Sequence, residues 1–373
     1  MIAILFALRT WRGFDAPLRY SSRAVEAVLV RDLDGDGAPD IVASGNQVDE
    51  LPELSVLRNR GDGTFEPERR IATGLGEKIE DVADLDADGV PDLITSAYWS
   101  GGIVVYRGMG SLMFDRGTQY TTATHGGPTR VVDFDRDGTP DVISFSFGSG
   151  NPVRVHLFRG NGDATLASKK TFETGVANAA TPSLRTFGGG LEIVAGERSG
   201  QLAIFRYADG TISISRIDAG AGFDLASTFA DVNGDGIADI VATTDDERDP
   251  NESIFVTLAG GDGSFGAARR IAQPRHVGFP IAVRAADFDG DGHADLIVAG
   301  AGDANVYFFA GDGSGGFAEA VPVNAGAPVN AFDIADVDGD GCVDLVTANS
   351  DRSISVLLNR GPCRVPRGRA VRP

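Results

Sequence analysis

The chain has 373 residues, of which 50 are glycine, close to twice the usual share of about 7%, and only 8% are aromatic. That composition excludes a long helical protein. The formal charge of −20, from 33 basic and 53 acidic residues, argues against a surface that neutralises nucleic-acid phosphates or docks on anionic lipid. No stretch reaches the roughly 20 apolar residues that a membrane-spanning helix needs, so no membrane-spanning segment is expected.

Residues 1–13 begin with the apolar run MIAILFAL, and the basic residues Arg9 and Arg12 follow it rather than precede it. The segment reads either as a truncated signal-like stretch or as an extra strand, since Ile4–Gly13 resembles a third strand and its turn. Next, Phe14–Tyr20 (FDAPLRY) has the pattern of Phe65–Ile71 (FEPERRI), a polar outer strand. From Val25 a unit of about 50 residues begins, and its marker is the nine-residue stretch Asp32–Asp40 (DLDGDGAPD). The marker returns at Asp84–Asp92, Asp133–Asp141, Asp231–Asp239, Asp287–Asp295 and Asp336–Asp344, with start-to-start spacings of 52, 49, 98, 56 and 49. The interval of 98 is two periods. A degenerate copy, Leu184–Glu192 (LRTFGGGLE), fills it and is expected to keep the length of the stretch but only one acid, Glu192.

Each marker lies between an apolar run such as Val25–Val30 and a β-branched run such as Ile41–Ser44. An alternating run such as Leu54–Arg58, a turn such as Gly61–Gly63, and a polar run such as Glu68–Thr73 follow. Four short strands bounded by Gly, Asn and Asp turns read as one propeller blade, and no sustained 3.6-residue period suggests helices. The fold class is therefore all-β: a seven-bladed β-propeller of four-stranded antiparallel blades over residues 14–361. The seventh unit lacks a fourth strand after Asn359, so the N-terminal strand is expected to close the ring. Residues 362–373 form a basic tail. Cys342 and Cys363 fall at the same end of the last hairpin, so they either pair in a disulfide, if the protein is exported, or stay free thiols; the sequence leaves both open.

The acidic stretches carry the chemistry. Alternating Asp residues with a further Asp at position nine crowd carboxylates into one tight loop, which calls for a hard, oxygen-preferring cation. Gly at position six permits the sharp turn that lets position seven offer its carbonyl. The expected ligands are Asp32, Asp34, Asp36, Ala38 and Asp40; Asp84, Asp86, Asp88, Val90 and Asp92; Asp133, Asp135, Asp137, Thr139 and Asp141; Asp231, Asn233, Asp235, Ile237 and Asp239; Asp287, Asp289, Asp291, His293 and Asp295; and Asp336, Asp338, Asp340, Cys342 and Asp344. Calcium suits them best, because magnesium keeps its water and zinc prefers nitrogen and sulfur. Position twelve is never Glu, so these are not EF-hands. Weaker binding is expected where Ala87 and Arg136 replace Gly at position four and where Asn233 replaces an Asp. At free calcium ~10-fold above each Kd, six sites would add about 8 kcal/mol, comparable with the stability of a whole domain.

The pattern Asp-x-Asp-Gly-Asp-Gly-x-x-Asp, followed by an Ile/Leu/Val run and Gly-Asp-Gly-x-Phe as in Asn59–Phe65, resembles the FG-GAP/VCBS repeats of secreted proteins and the blades of the integrin alpha-subunit propeller. The resemblance implies six or so calcium ions, a secreted, cell-surface or periplasmic location, and a monomeric binding or adhesion scaffold for a protein or carbohydrate ligand. It places partner binding on the face opposite the calcium loops, where Gly45–Glu53, Tyr98–Trp99 and Thr244–Ser253 are the distinctive loops. The competing expectation is a polysaccharide-acting lyase or hydrolase using that same face. His125 and His276 are expected there in loops between blades, whereas His156 and His293 read as structural. No catalytic residue is assigned.

Overall fold

The computed structural model describes residues 11–363, apart from 46–52, 73–76, 98–100, 123–124, 149–150, 178–182, 188–189, 198–199, 209, 219–225, 245–252 and 272–279. The described residues form seven four-stranded antiparallel sheets and no helix. Six sheets are built from consecutive strands. Blade one, for example, comprises Ala27–Arg31, Asp40–Gly45, Glu53–Leu57 and Arg69–Ala72.

Burial within a blade follows the strand sequences. The second strands Asp40–Gly45, Asp92–Ala97, Asp295–Gly300 and Asp344–Asn349 are buried at every residue, because apolar and β-branched runs without a polar face fit only where both faces are covered. The outer strands Thr118–Thr121 and Val321–Asn324 each keep a single half-buried residue and leave the rest exposed. Neighbouring blades supply the cover. Seven apolar clusters lie one at each junction, such as Val42 and Leu54 with Leu93 and Val104 between blades one and two, or Ile41 and Ala43 with Val346 and Ile354 between blades one and seven. At about 1.5–3 kcal/mol for each fully buried aliphatic side chain, these junctions supply the main force closing the ring.

The closure is the one expected from Phe14–Tyr20. Leu18–Ser21 pairs antiparallel with Ser353–Leu357, from Leu18↔Val356 to Ser21↔Ser353. Bridges join Asn59 to Phe65 in blade one and Ala259 to Phe265 in blade five across a Gly-Asp-Gly turn, and Phe14 makes the same bridge to Asn359 in blade seven without any turn. The Asp15 N–H donates to the Leu358 carbonyl at 2.8 Å and the Arg360 N–H to that of Gly13 at 3.0 Å. The Trp11 indole N–H reaches Asn359 Oδ1 at 2.9 Å while its ring stacks on Phe308. Residues 1–10, and with them most of the expected extra strand Ile4–Gly13, lie outside the described residues, as do Arg364–Pro373. The Cys342–Cys363 disulfide is formed.

Two expectations need correction. Blade four does not keep the loop length: Arg185 pairs with Glu192 where Arg31 pairs with Asp40, and strand pairing runs on to Phe187↔Gly190. Its hairpin is two residues shorter than the acidic ones. His125 is not in a loop between blades but begins strand His125–Val132, paired with Phe147.

Candidate metal centre

Each acidic loop joins the first strand of a blade to the second and is tied by its own carboxylates. In blade one, Asp32 accepts the N–H groups of Gly35 at 2.8 Å and Gly37 at 2.9 Å, while Asp36 accepts that of Ala38 at 2.9 Å. The same bonds recur from Gly290, Gly292 and His293 in blade six and from Gly339, Gly341 and Cys342 in blade seven. Position six is left-handed, as at Gly37 with φ 89°. So is position four, where Ala87 (φ 58°) and Arg136 (φ 65°) adopt a backbone that costs a residue with a Cβ about 1–2 kcal/mol.

Position nine has a different task from the rest. Asp40 is fully buried, and takes the Leu33 N–H on Oδ2 at 3.1 Å and the Asn59 N–H, from the end of the third strand, on Oδ1 at 2.8 Å. Asp92, Asp141, Asp239, Asp295 and Asp344 repeat both bonds, so this carboxylate clamps the loop to the neighbouring hairpin. Burial pushes these carboxyls up against the N–H groups that hold them down: Asp40, Asp92 and Asp141 to about 6, Asp344 to about 7 and Asp295 to about 8. Asp289, also buried and beside Asp291, rises to about 6.

The loops bring carboxylates together in five triads whose oxygens lie within 4.8 Å of one another: Asp32, Asp34, Asp36; Asp84, Asp86, Asp92; Asp133, Asp135, Asp141; Asp287, Asp289, Asp291; and Asp336, Asp338, Asp344. The sixth expected loop has no such carboxylate triad among the described residues: its position three is the neutral Asn233, whose amide donates to Asp235 Oδ2 at 3.0 Å. Buried oxygens in three of these loops, Asp86 Oδ2, Asp133 Oδ1 and Asp289 Oδ2, have no hydrogen-bond partner among the described residues, although an arginine forms an ion pair with Asp86. Buried, oxygen-only and partly unpaired donors fit a hard divalent cation.

Sequence reasoning missed the arginines. Arg58, Arg107 and Arg159 each stand directly after the third strand of their blade and reach the position-three carboxylate at 2.6 Å. Arg360, three residues past its strand, reaches Asp338 at 2.8 Å. In blade four, Glu192, 1% exposed, is held by Arg185 at 2.5 Å and Arg206 at 2.6 Å, so two guanidiniums stand where a cation is expected elsewhere. The recurrent Arg after the alternating run was visible in the sequence, but its target becomes evident only with the strand register.

The two histidines whose side chains are described, His156 and His293, stand on different blades and do not share a site. His156 is buried between Ser146 at 2.8 Å and Thr171 at 2.9 Å, and burial drives its imidazole down to about 4. His293 lies on its loop, where its backbone N–H donates to Asp291. His276, Tyr98–Trp99, and most of Gly45–Glu53 and Thr244–Ser253 lie outside the described residues.

A closed ring of seven four-stranded blades, six of them with an acidic loop between the first strand and the second, defines a seven-bladed β-propeller of acidic-loop repeats. Residues 32–95, 84–144, 231–298 and 287–347, together more than half of the chain, match the FG-GAP-like repeat, each match running from the first Asp of one loop to the strand beyond the next. The chain belongs to that family. It matches no curated relative. Among solved structures it is similar to a lectin of Agrocybe aegerita that recognises non-reducing terminal N-acetylglucosamine, with a TM-score of 0.60, 22% identity and 81% of each chain covered, a likeness of fold.

Proposed function

We propose that the protein is a calcium-stabilised binding propeller acting outside the cytoplasm, with the face opposite its metal loops offered to a carbohydrate or protein ligand. The observation that carries the metal reading is the buried, unpartnered Asp289 Oδ2 inside a carboxylate triad, since such an atom is costly unless a cation completes it. The carboxylates of Asp32, Asp34, Asp36 and Asp40 and the carbonyl of Ala38 would hold calcium in blade one, with the corresponding residues around Val90, Thr139, Ile237, His293 and Cys342 in the other loops. Calcium there supplies charge neutralisation and no redox chemistry. The Cys342–Cys363 disulfide supports an oxidising compartment, where millimolar calcium is also present. The lectin similarity supports a sugar as ligand.

Thermal unfolding in EGTA and in millimolar calcium, with bound calcium counted by calorimetry, tests this reading. The expected outcome is five or six ions and a large rise in the midpoint. An unchanged midpoint with no binding heat would remove the metal from the account. A panel of immobilised terminal sugars, probed in calcium and again in EGTA, then tests the ligand class.

A further inference from the structure

The six acidic loops differ in what already sits on their position-three residue. In blades one, two and three it is a guanidinium from the residue after the third strand: Arg58 on Asp34, Arg107 on Asp86 and Arg159 on Asp135. Arg58 and Arg107 also reach position five, at 3.0 Å from Asp36 and 3.2 Å from Asp88. In blade seven Arg360 lies 2.8 Å from Asp338 and 3.5 Å from Asp340. Blade five has Leu258 after its strand and a neutral Asn233 at position three. Blade six has Ala310 there, and its Asp289 is 2% exposed with Oδ2 unpartnered. Asp289 is thus the one position-three carboxylate among the described residues that neither an arginine nor amidation neutralises.

We infer that the arginines are tethered counter-cations that set the order of metal filling: the blade-six loop, Asp287, Asp289, Asp291 and Asp295, is the primary calcium site, and the loops of blades one, two, three and seven fill later because calcium must first displace a guanidinium. Blade four is the limit of the same series, where Arg185 and Arg206 hold Glu192 and no ion enters. In the absence of calcium the arginines keep the loops from repelling themselves open. The guarding side chains are themselves partly exposed, at 42%, 51% and 63% for Arg58, Arg107 and Arg159, so they can swing into water when an ion arrives.

This inference rests on the loops binding calcium. Its test is calorimetric titration of the full chain with calcium chloride, on the parent protein, on Asp289→Asn and on the triple variant Arg58→Gln, Arg107→Gln, Arg159→Gln. The parent should show one tight site ahead of a weaker class. Asp289→Asn should remove the tight site and leave the weaker class. The triple variant should tighten the weaker class about fivefold and lower the melting temperature in EGTA but not in calcium. Should the triple variant fail to fold, each single substitution read by the same titration serves instead. Calcium bound in a single class that the arginine changes do not move would overturn this inference while sparing the metal reading. No calcium heat in any protein would overturn both.

Discussion

The buried carboxyls make folding of the metal-free protein a proton-dependent reaction. Asp295 holds its proton to about pH 8 and Asp344 to about 7, and Asp40, Asp92, Asp141 and Asp289 to about 6, whereas an unfolded Asp ionises near 4. Each raised value contributes stability that is intact below about pH 4 and lost as pH rises through the folded value. His156 acts in the opposite sense, because its stabilising effect as a neutral ring is intact above about 6.5 and is lost as pH falls toward 4. Six carboxyls outweigh one imidazole, so in EGTA the urea midpoint should fall from pH 5 to pH 8. Calcium bound as proposed would take the place of those protons, so in millimolar calcium the fall should vanish. Calorimetry at pH 7 in buffers of different ionisation heat should then record proton release on binding. A midpoint in EGTA that climbs over this range would contradict the assignment.

At the scale of the single blade, the fourth shows what the motif does by doing without it. Glu192 occupies the clamp position of Asp40, but its partners are Arg185, whose side chain is 10% exposed and also rests on Phe229, and Arg206. Glu192→Gln would strip the charge from this pair and leave two guanidiniums partly buried, at a cost of about 3 kcal/mol in denaturant unfolding, with calcium stoichiometry unchanged. This blade also marks where sequence reasoning stopped. The other six announced themselves because Asp and Gly recur at fixed positions for a local reason, namely turn geometry and carboxylate crowding, and that is visible in nine residues. In blade four the downstream Ile-Val-Ala-Gly aligned well, but the hairpin's length depends on which residue of one strand faces Glu192, a cross-strand fact with no local signature. The guarding arginines escaped for the same reason, since Arg58 and Asp34 are far apart in sequence and meet only through the register Ile41↔Leu57. His125 was misplaced because His-Gly-Gly-Pro looks like a turn, yet tertiary pairing with Phe147 draws it into a strand.

At the scale of the whole ring, closure depends on the seventh blade alone, and the protein reinforces it twice. The N-terminal strand was legible in the likeness of Phe14–Tyr20 to Phe65–Ile71, because a closed ring needs the missing strand from somewhere. The disulfide adds a covalent hold on the segment 359–363, which lies across two acidic loops: Asn359 reaches the Phe288 and Val343 carbonyls, and a Cβ at Gly290 would collide with the Pro362 oxygen. With its cysteines 21 positions apart in sequence, its reduction should cost about 3 kcal/mol. A lower melting temperature in reductant, in calcium as in EGTA, is the expected result, and an unchanged one would show that the strap holds without its bond.

The meeting of Phe14 with Asn359 also decides how the molecule can be mounted. The chain enters and leaves the ring beside the blade-seven loop, where Asn359 donates to Asp344 and Arg360 joins Asp15 to Asp338. Any neighbour joined through either of these points, whether a further domain, a tether or an immobilisation tag, grips the disc from its acidic rim. The opposite side carries neither point of attachment, so a neighbour joined at either one leaves that side uncovered.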